Sequence, residues 1–551
     1  MTSAATRAPA PAPARPPARS GGALAGTLAL IRFGLRRDRV RLPVWLLALS
    51  AGTAATAANY ATLYAGPADR ASAAAAMASP AGLAMTGPRH YLDDYTSGAM
   101  TAHQLLGFTV VLAGLMSALT VIRHTRAEEE TGRAELVRST AVGRHAHLAA
   151  ALAIASLAGL ALALLLALGL GATGLDPGGS LLYGFAHAAA GAVFAGVAAV
   201  TAQITPHTRG ASGTAVAVIG LAYALRAAGD AGGGDALSWL SPVGWVQRAY
   251  PYADDRWWPL LLCLVLAVLC AGAGFALSAR RDVGAGLRAA RPGSPAASAS
   301  LVRPPGLALR LHRSALAGFG AGVFLMGAMY GSVLGDAEGM LKDIDPLQEA
   351  LDGIGGATTA ESFASMVMVV LAVVTAVYVV TAALRPRSEE SAGRAEPLLA
   401  AGLSRASWAG SHLAVAMAGG TFLLLLAGLG IGAAGAASAG DPGLLPELVG
   451  AALAYAPALW VTAGVAAVLH GWLPRAAPAA WAVPVYAFVA GYLGPLLRFP
   501  GWADGLSPFA HVPRLPSAAM GWTPLAVLTL IAAGLLLLGL EGYRRRDLRT
   551  A

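Results

Sequence analysis

Residues 126–144 read Arg-Ala-Glu-Glu-Glu-Thr-Gly-Arg-Ala-Glu-Leu-Val-Arg-Ser-Thr-Ala-Val-Gly-Arg, a run of carboxylates and guanidinium groups in a chain that is only 12% charged. A near copy follows at 387–405, where Arg126, Glu128, Glu129, Gly132, Arg133, Ala134, Glu135 and Arg144 match Arg387, Glu389, Glu390, Gly393, Arg394, Ala395, Glu396 and Arg405. Such groups can satisfy one another or recognise a partner. Glu129 with Arg133, and Glu390 with Arg394, stand at i,i+4 in the acid-first order. Each pair is worth about 0.2–0.5 kcal/mol on a helix surface, so a short helix is expected in each copy. A solvated helix that only anchors topology needs basic residues alone, yet the two copies hold seven glutamates. Mixed charge in a fixed order suits docking of a protein, because it sets register and partner choice more than raw affinity.

Other chemistry finds little to work with. A phosphate-binding P-loop needs a lysine after its glycines, and the single lysine, Lys342, lies in an acidic stretch. No nucleotide or cofactor site is expected in the chain. His103, His187 and His470 fall near the ends of apolar segments and read as hydrogen-bonded packing residues. Cys263 and Cys270 are seven apart on one predicted helix, too far for a disulfide and without metal-ligand companions. The acidic segment 335–361, with Asp336, Glu338, Asp343, Asp345, Glu349, Asp352 and Glu361, fits no ligand spacing such as an EF-hand. It reads as a solvated cap, and no catalytic or metal site is expected.

The elements that position the charged copies are apolar. Of 551 residues, 56% are hydrophobic, and the mean hydropathy is +0.61, which points to a membrane protein, since soluble domains carry about 25% charged residues. A helix crossing the hydrocarbon core needs about 20 apolar residues. Twelve charge-free windows qualify: 42–68, 95–122, 145–175, 177–208, 210–225, 257–279, 314–335, 362–384, 406–440, 448–474, 476–497 and 515–540. The fifth is the shortest, and its helix is expected to run on to Arg226, whose stem carries the charge to the interface. Window 71–88 is rejected, because it has few large apolar residues and is broken by Pro80, Gly82, Gly87 and Pro88. Twelve spans put both termini on one side. That side carries 30 of the 38 Arg and Lys, so by the positive-inside rule it is cytoplasmic. The net charge of +9 is then topology and attraction to the membrane surface, not nucleic-acid binding.

The charged copies belong to a longer repeat offset by about 260–268 residues, a kind of pattern that can decide a fold. Asp176, Pro177 and Gly178 match Asp441, Pro442 and Gly443. Leu240, Ser241 and Pro242 match Leu506, Ser507 and Pro508, and Arg280, Arg281 and Asp282 match Arg545, Arg546 and Asp547. The expected fold is an all-α integral membrane protein of about twelve transmembrane helices in two parallel six-helix repeats. The expected divisions are a disordered cytoplasmic tail at 1–22, a first half at 23–282, a cytoplasmic linker at 283–305 and a second half at 306–551. Segments 23–41 and 306–313, apolar and basic, are expected either as interfacial amphipathic helices or as plain basic flanks. Aromatic residues available to an apolar path are Tyr183, Phe185, Phe194, Trp460, Tyr486 and Phe488, at spacings equally suited to packing.

The charged motif after a second membrane helix resembles the coupling loop of ABC exporter permeases, and the fused twelve-helix layout resembles the bacterial exporters of polyketide antibiotics. The resemblance implies a bacterial plasma-membrane permease that exports hydrophobic or amphipathic small molecules. It also implies a separate ATPase subunit that binds ATP, with two copies docking beneath the bilayer-embedded chain, one per loop. The docking residues it implies are Glu128, Glu129, Gly132, Arg133, Glu135 and Arg144, with Glu389, Glu390, Gly393, Arg394, Glu396 and Arg405. Ser391 replaces Glu130 and Pro397 replaces Leu136, which predicts that the second loop helix ends early. The alternative is an ion-driven secondary carrier, which the uncharged spans disfavour because such carriers commonly place ionisable groups at membrane depth.

Overall fold

A backbone without water to bond must satisfy itself, and a helix does so within one segment. The computed structural model, which describes residues 22–232, 234–288, 295–336, 358–490 and 505–547, is helical accordingly, with no strand among the described residues. Eleven helices among those residues are long and apolar enough to cross a membrane. The chain divides into two compact units, residues 1–62 with 86–291 and residues 63–85 with 292–551.

In the first unit the spans are Arg41–Leu63, Ser97–Glu130, Ala146–Ala172, Pro177–Ile204, Thr208–Ala231 and Trp258–Ser278. Thr96 and Asp176 cap the starts of two of them, their side chains accepting from the amides of Ala99 and Gly179 at 3.1 and 2.8 Å. Helix 177–204 is the centre of the unit, because its glycines let backbones approach. A Cβ on Gly184 would stand 2.2 Å from the Ala163 carbonyl oxygen, and one on Gly114 would stand 2.4 Å from Phe194. Lipid supplies no hydrophobic drive between helices, so this contact of small residues is what holds them.

The second unit holds Pro304–Gly331, Ala360–Ser391, Arg405–Ala439, Leu444–Trp472 and Trp522–Arg545. The remaining expected window, 476–497, contains the shorter apolar helix Ala477–Phe488 and then runs outside the described residues. Helices 304–331 and 405–439 meet through glycine, with a Cβ at Gly327 or Gly331 falling 2.5 or 2.3 Å from the carbonyl oxygens of Ala427 and Ile431.

Three expectations change. Segment 306–313 is no separate interfacial helix but the first turns of helix 304–331, whereas 23–41 does contain a distinct helix, Thr27–Arg37, with Leu28 and Phe33 exposed. The 283–305 linker is partly tied down, since the amides of Leu287 and Arg288 bond the carbonyls of Gln203 and Ile204 at 2.9 and 3.0 Å. Helix 208–231 runs beyond its window and buries Arg226 completely, so its charge is paired inside the protein. Its guanidinium lies 3.6 Å from Asp230 and 4.4 Å over the Tyr223 ring. Arg248, also buried, completes the group at 3.3 Å from Asp230 and 2.5 Å from Asp235. The rejected window 71–88 forms only the short helices Pro67–Met77 and Pro80–Met85. Most of segment 335–361 and the 1–22 tail lie outside the described residues.

Candidate functional site

Both charged copies fold as two short helices around a glycine. In the first, helix 97–124 breaks at Thr125, then Arg126–Glu130 and Arg133–Arg138 follow, separated by Gly132 at φ +73°. In the second, Arg385–Ser391 and Ala395–Ala400 are separated by Gly393 at φ +68°. Only glycine takes that left-handed conformation without cost, which gives both glycines a local reason.

The break overturns the expected i,i+4 pairs. Because the helix does not continue from Glu129 to Arg133, the arginine instead reaches Glu128, with Arg133 Nη1 at 3.7 Å. In the second copy Arg394 Nε meets Glu389 at 2.5 Å, and Arg385 takes the other Glu389 oxygen at 2.7 Å. Arg37, on helix 27–37, also pairs with Glu128.

Glu129 and Glu390 turn inward to more distant partners. Glu129 receives both terminal nitrogens of Arg281, at 2.8 and 2.7 Å, and Arg126 at 2.9 Å. Arg126, fully buried, also donates through Nε to the Ala202 carbonyl at 2.8 Å. Glu390 receives Arg546 Nη2 at 2.9 and 2.7 Å on its two oxygens, the Tyr543 hydroxyl at 2.6 Å, and lies 3.4 Å from His470. Much of the charge that looked available to a partner is therefore spent inside the chain.

What stays exposed is narrower. The side chains of Arg133 and Arg394 are each 58% exposed, and Glu135, Leu136, Glu396 and Pro397 are exposed beside them. Arg144 is exposed and bonds its neighbour His145 at 3.1 Å. Arg405 behaves differently, because it donates to the Arg546 carbonyl at 2.5 Å and so caps the carbonyl end of helix 522–545. Pro397 does not shorten its helix: Arg133–Arg138 and Ala395–Ala400 both have six residues. Pro397 is the third residue of its helix, within the first turn, where an amide has no intrahelical partner to lose. The real difference lies at the other replacement. Glu130 accepts the Thr208 amide at 2.8 Å at the start of helix 208–231, while Ser391 bonds back to Ser388.

The remaining candidates disperse. Tyr183 and Phe194 are buried packing residues, and Trp460 donates to Thr421 at 3.2 Å. Phe185 packs beside Trp257, and Phe488 is exposed. Tyr486 alone of the six aromatics lines the 680 Å³ apolar cavity of the second unit, with Val465, Leu506, His511 and Val527. His103 bonds Thr86 and Tyr95, each at 3.0 Å, and His187 bonds Thr109 at 2.8 Å, as packing histidines do. Cys263 and Cys270 are free thiols. Sequence reasoning missed Arg281, Arg546 and Tyr543. The matched Arg-Arg-Asp triplets were visible, but only as a mark of the repeat.

The family described as multidrug efflux system permease Rv1217c, C-terminal domain, matches residues 24–277 and 301–544. The multidrug efflux system permease protein Rv1217c of Mycobacterium tuberculosis is 43% identical over 537 residues, which cover 96% of each chain.

Proposed function

This chain belongs to the family of multidrug efflux system permeases, and we propose that it is the membrane subunit of an ATP-driven ABC exporter that expels hydrophobic or amphipathic compounds, antibiotics among them. A separate ATPase supplies the energy, and two copies dock on the two charged loops from the cytoplasm. The observation that carries this reading is the shared build of the loops: helix, left-handed glycine, helix, with Arg133 or Arg394 and Glu135 or Glu396 left outward while Glu129 and Glu390 are bound inward. The fused twelve-helix plan, as two parallel halves, is supported by the two matched segments of roughly equal length. The 680 Å³ cavity supports an apolar cargo, being within the range of about 300–1,000 Å³ common to small-molecule sites.

A second reading has one observation in its favour. The buried Arg226, Asp230 and Arg248 cluster places ionisable groups at the end of helix 208–231, just beyond the charge-free window, and buried ionisable groups of membrane helices often mark ion pathways. Reconstitution with the ATPase decides between the two. Drug-stimulated ATP hydrolysis should fall when Arg133 and Arg394 are both reversed to Glu, and hydrolysis that stays unchanged sinks the docking reading. Efflux that collapses with a proton uncoupler while ATP is held constant supports the carrier.

A further inference from the structure

We propose that Arg281 and Arg546 are positioning residues that pass movement of each charged loop to the ends of two membrane helices; this rests on the docking reading above. Arg281 lies three residues beyond helix 258–278. Its terminal nitrogens hold both oxygens of Glu129, and its Nε donates to the Gln203 side-chain oxygen at 2.6 Å, next to the last residue of helix 177–204. One guanidinium thus joins the loop, the end of helix 177–204 and the end of helix 258–278.

The second unit reaches the same connection with different chemistry. Arg546 follows helix 522–545 directly, binds both oxygens of Glu390, and lies 3.1 Å from His470 Nε2 in the last turn of helix 456–472. Arg281 with Arg546, and Glu129 with Glu390, are matched positions of the repeat, so two separate sets of residues arrive at one wiring. Gln203 and His470 hold the third corner, an amide in one and an imidazole in the other.

Geometry separates this role from docking. Glu129 and Glu390 are 15% and 8% exposed, and their arginines 7% and 12%, so neither pair is open to a partner. Arg133 and Arg394, by contrast, face outward. Arg281 binds Glu129 through two parallel N–H bonds, which fix direction as well as distance, whereas Arg546 reaches both Glu390 oxygens through Nη2 alone and is held in place by Tyr543 and His470 beside it. A loop pushed from its outer face must therefore carry both helix ends with it, or break the pair.

The test uses the full-length chain purified with its ATPase, with ethidium as the transported probe. Four quantities are read: ATPase co-purified, basal hydrolysis, ethidium-stimulated hydrolysis and ethidium efflux into vesicles. Arg281→Met and Arg546→Met should leave co-purification and basal hydrolysis within about twofold of the parent, while stimulation and efflux fall about tenfold. The exchanged pair Glu390→Arg with Arg546→Glu, at the loop whose carboxylate holds no second arginine among the described residues, should recover much of the loss of Arg546→Met, which a residue needed only for folding would not allow. If the Met variants fail to reach the membrane, Arg281→Lys, which keeps the charge without the two-pronged contact, decides by the same four readings. Unchanged stimulation and efflux with ATPase bound would overturn the transmission role and leave docking standing. Loss of co-purification in the Met variants, restored by the exchange, would also overturn it, by placing the pair in the docking contact itself. A parent chain that exports ethidium with no ATPase present would remove the docking reading and this proposal together.

Discussion

At the residue scale, burial decides what a charge does. Asp230 has no exposed side-chain surface and stands between two buried arginines, Arg226 and Arg248, so Asp230→Asn would remove the one buried carboxylate that both share, leaving Arg248 its bond to the exposed Asp235. Breaking a buried pair in this way costs about 3–5 kcal/mol. A marked loss of thermal stability in detergent is the expected result, and a melting profile like the parent's would refute the cluster's structural role. The same logic explains why the loop carboxylates were misread. Spacing put Glu129 opposite Arg133, but a side chain pairs with whatever the fold brings to it, and Arg281 arrives from 152 positions along the chain. Nothing in the local pattern favours that partner over the nearer one.

At the element scale, the two loops differ less in helix length than in what their helices support. Glu130 accepts the first amide of helix 208–231 at 2.8 Å, and Ser391 has no such role in the second copy, bonding instead to its own helix. Glu130→Ala should weaken the start of that helix by about 0.5–1 kcal/mol, as loss of a capping carboxylate does. Faster amide hydrogen exchange at Thr208 and Arg209 would show it. Pro397→Leu should change stability by no more than about 0.5 kcal/mol, since a first-turn proline leaves no bond to restore; a large shift in unfolding temperature would contradict the observed helix. Gly331→Leu is the opposite case. Its side chain would enter the space 2.3 Å from the Ile431 carbonyl oxygen, and overpacking of this kind costs about 1–3 kcal/mol. Reduced yield of folded protein, with recovery in Gly331→Ala smaller than complete, is the expected pattern.

At the scale of the whole molecule, two loops of one build raise the question of whether they act alike. Arg405 is drawn into capping helix 522–545 while Arg144 stays exposed, so reversal to Glu should discriminate between them. Arg405→Glu should reduce both stability and efflux, and Arg144→Glu should reduce efflux alone; equal effects on stability would contradict the difference. Much of this molecule was legible from the chain. Charge-free runs located eleven of the twelve expected helices among the described residues, most of them to within a few residues, because a span in lipid must be long, apolar and internally bonded; helix 304–331 starts ten residues before its window. The matched loop residues were legible as matches of residue type, and both loops fold as helix, left-handed glycine, helix. Local rules also marked the broken segment at 71–88, whereas the helix breaks at Gly132 and Gly393 were not foreseen, because the charge spacing alone suggested a continuous turn across them. Tertiary structure alone decided that Glu129 and Glu390 face inward, that Arg226 is buried, and that residues 306–313 join a membrane helix. Each depends on which distant group supplies a counter-charge or covers a surface, and no local periodicity carries that information.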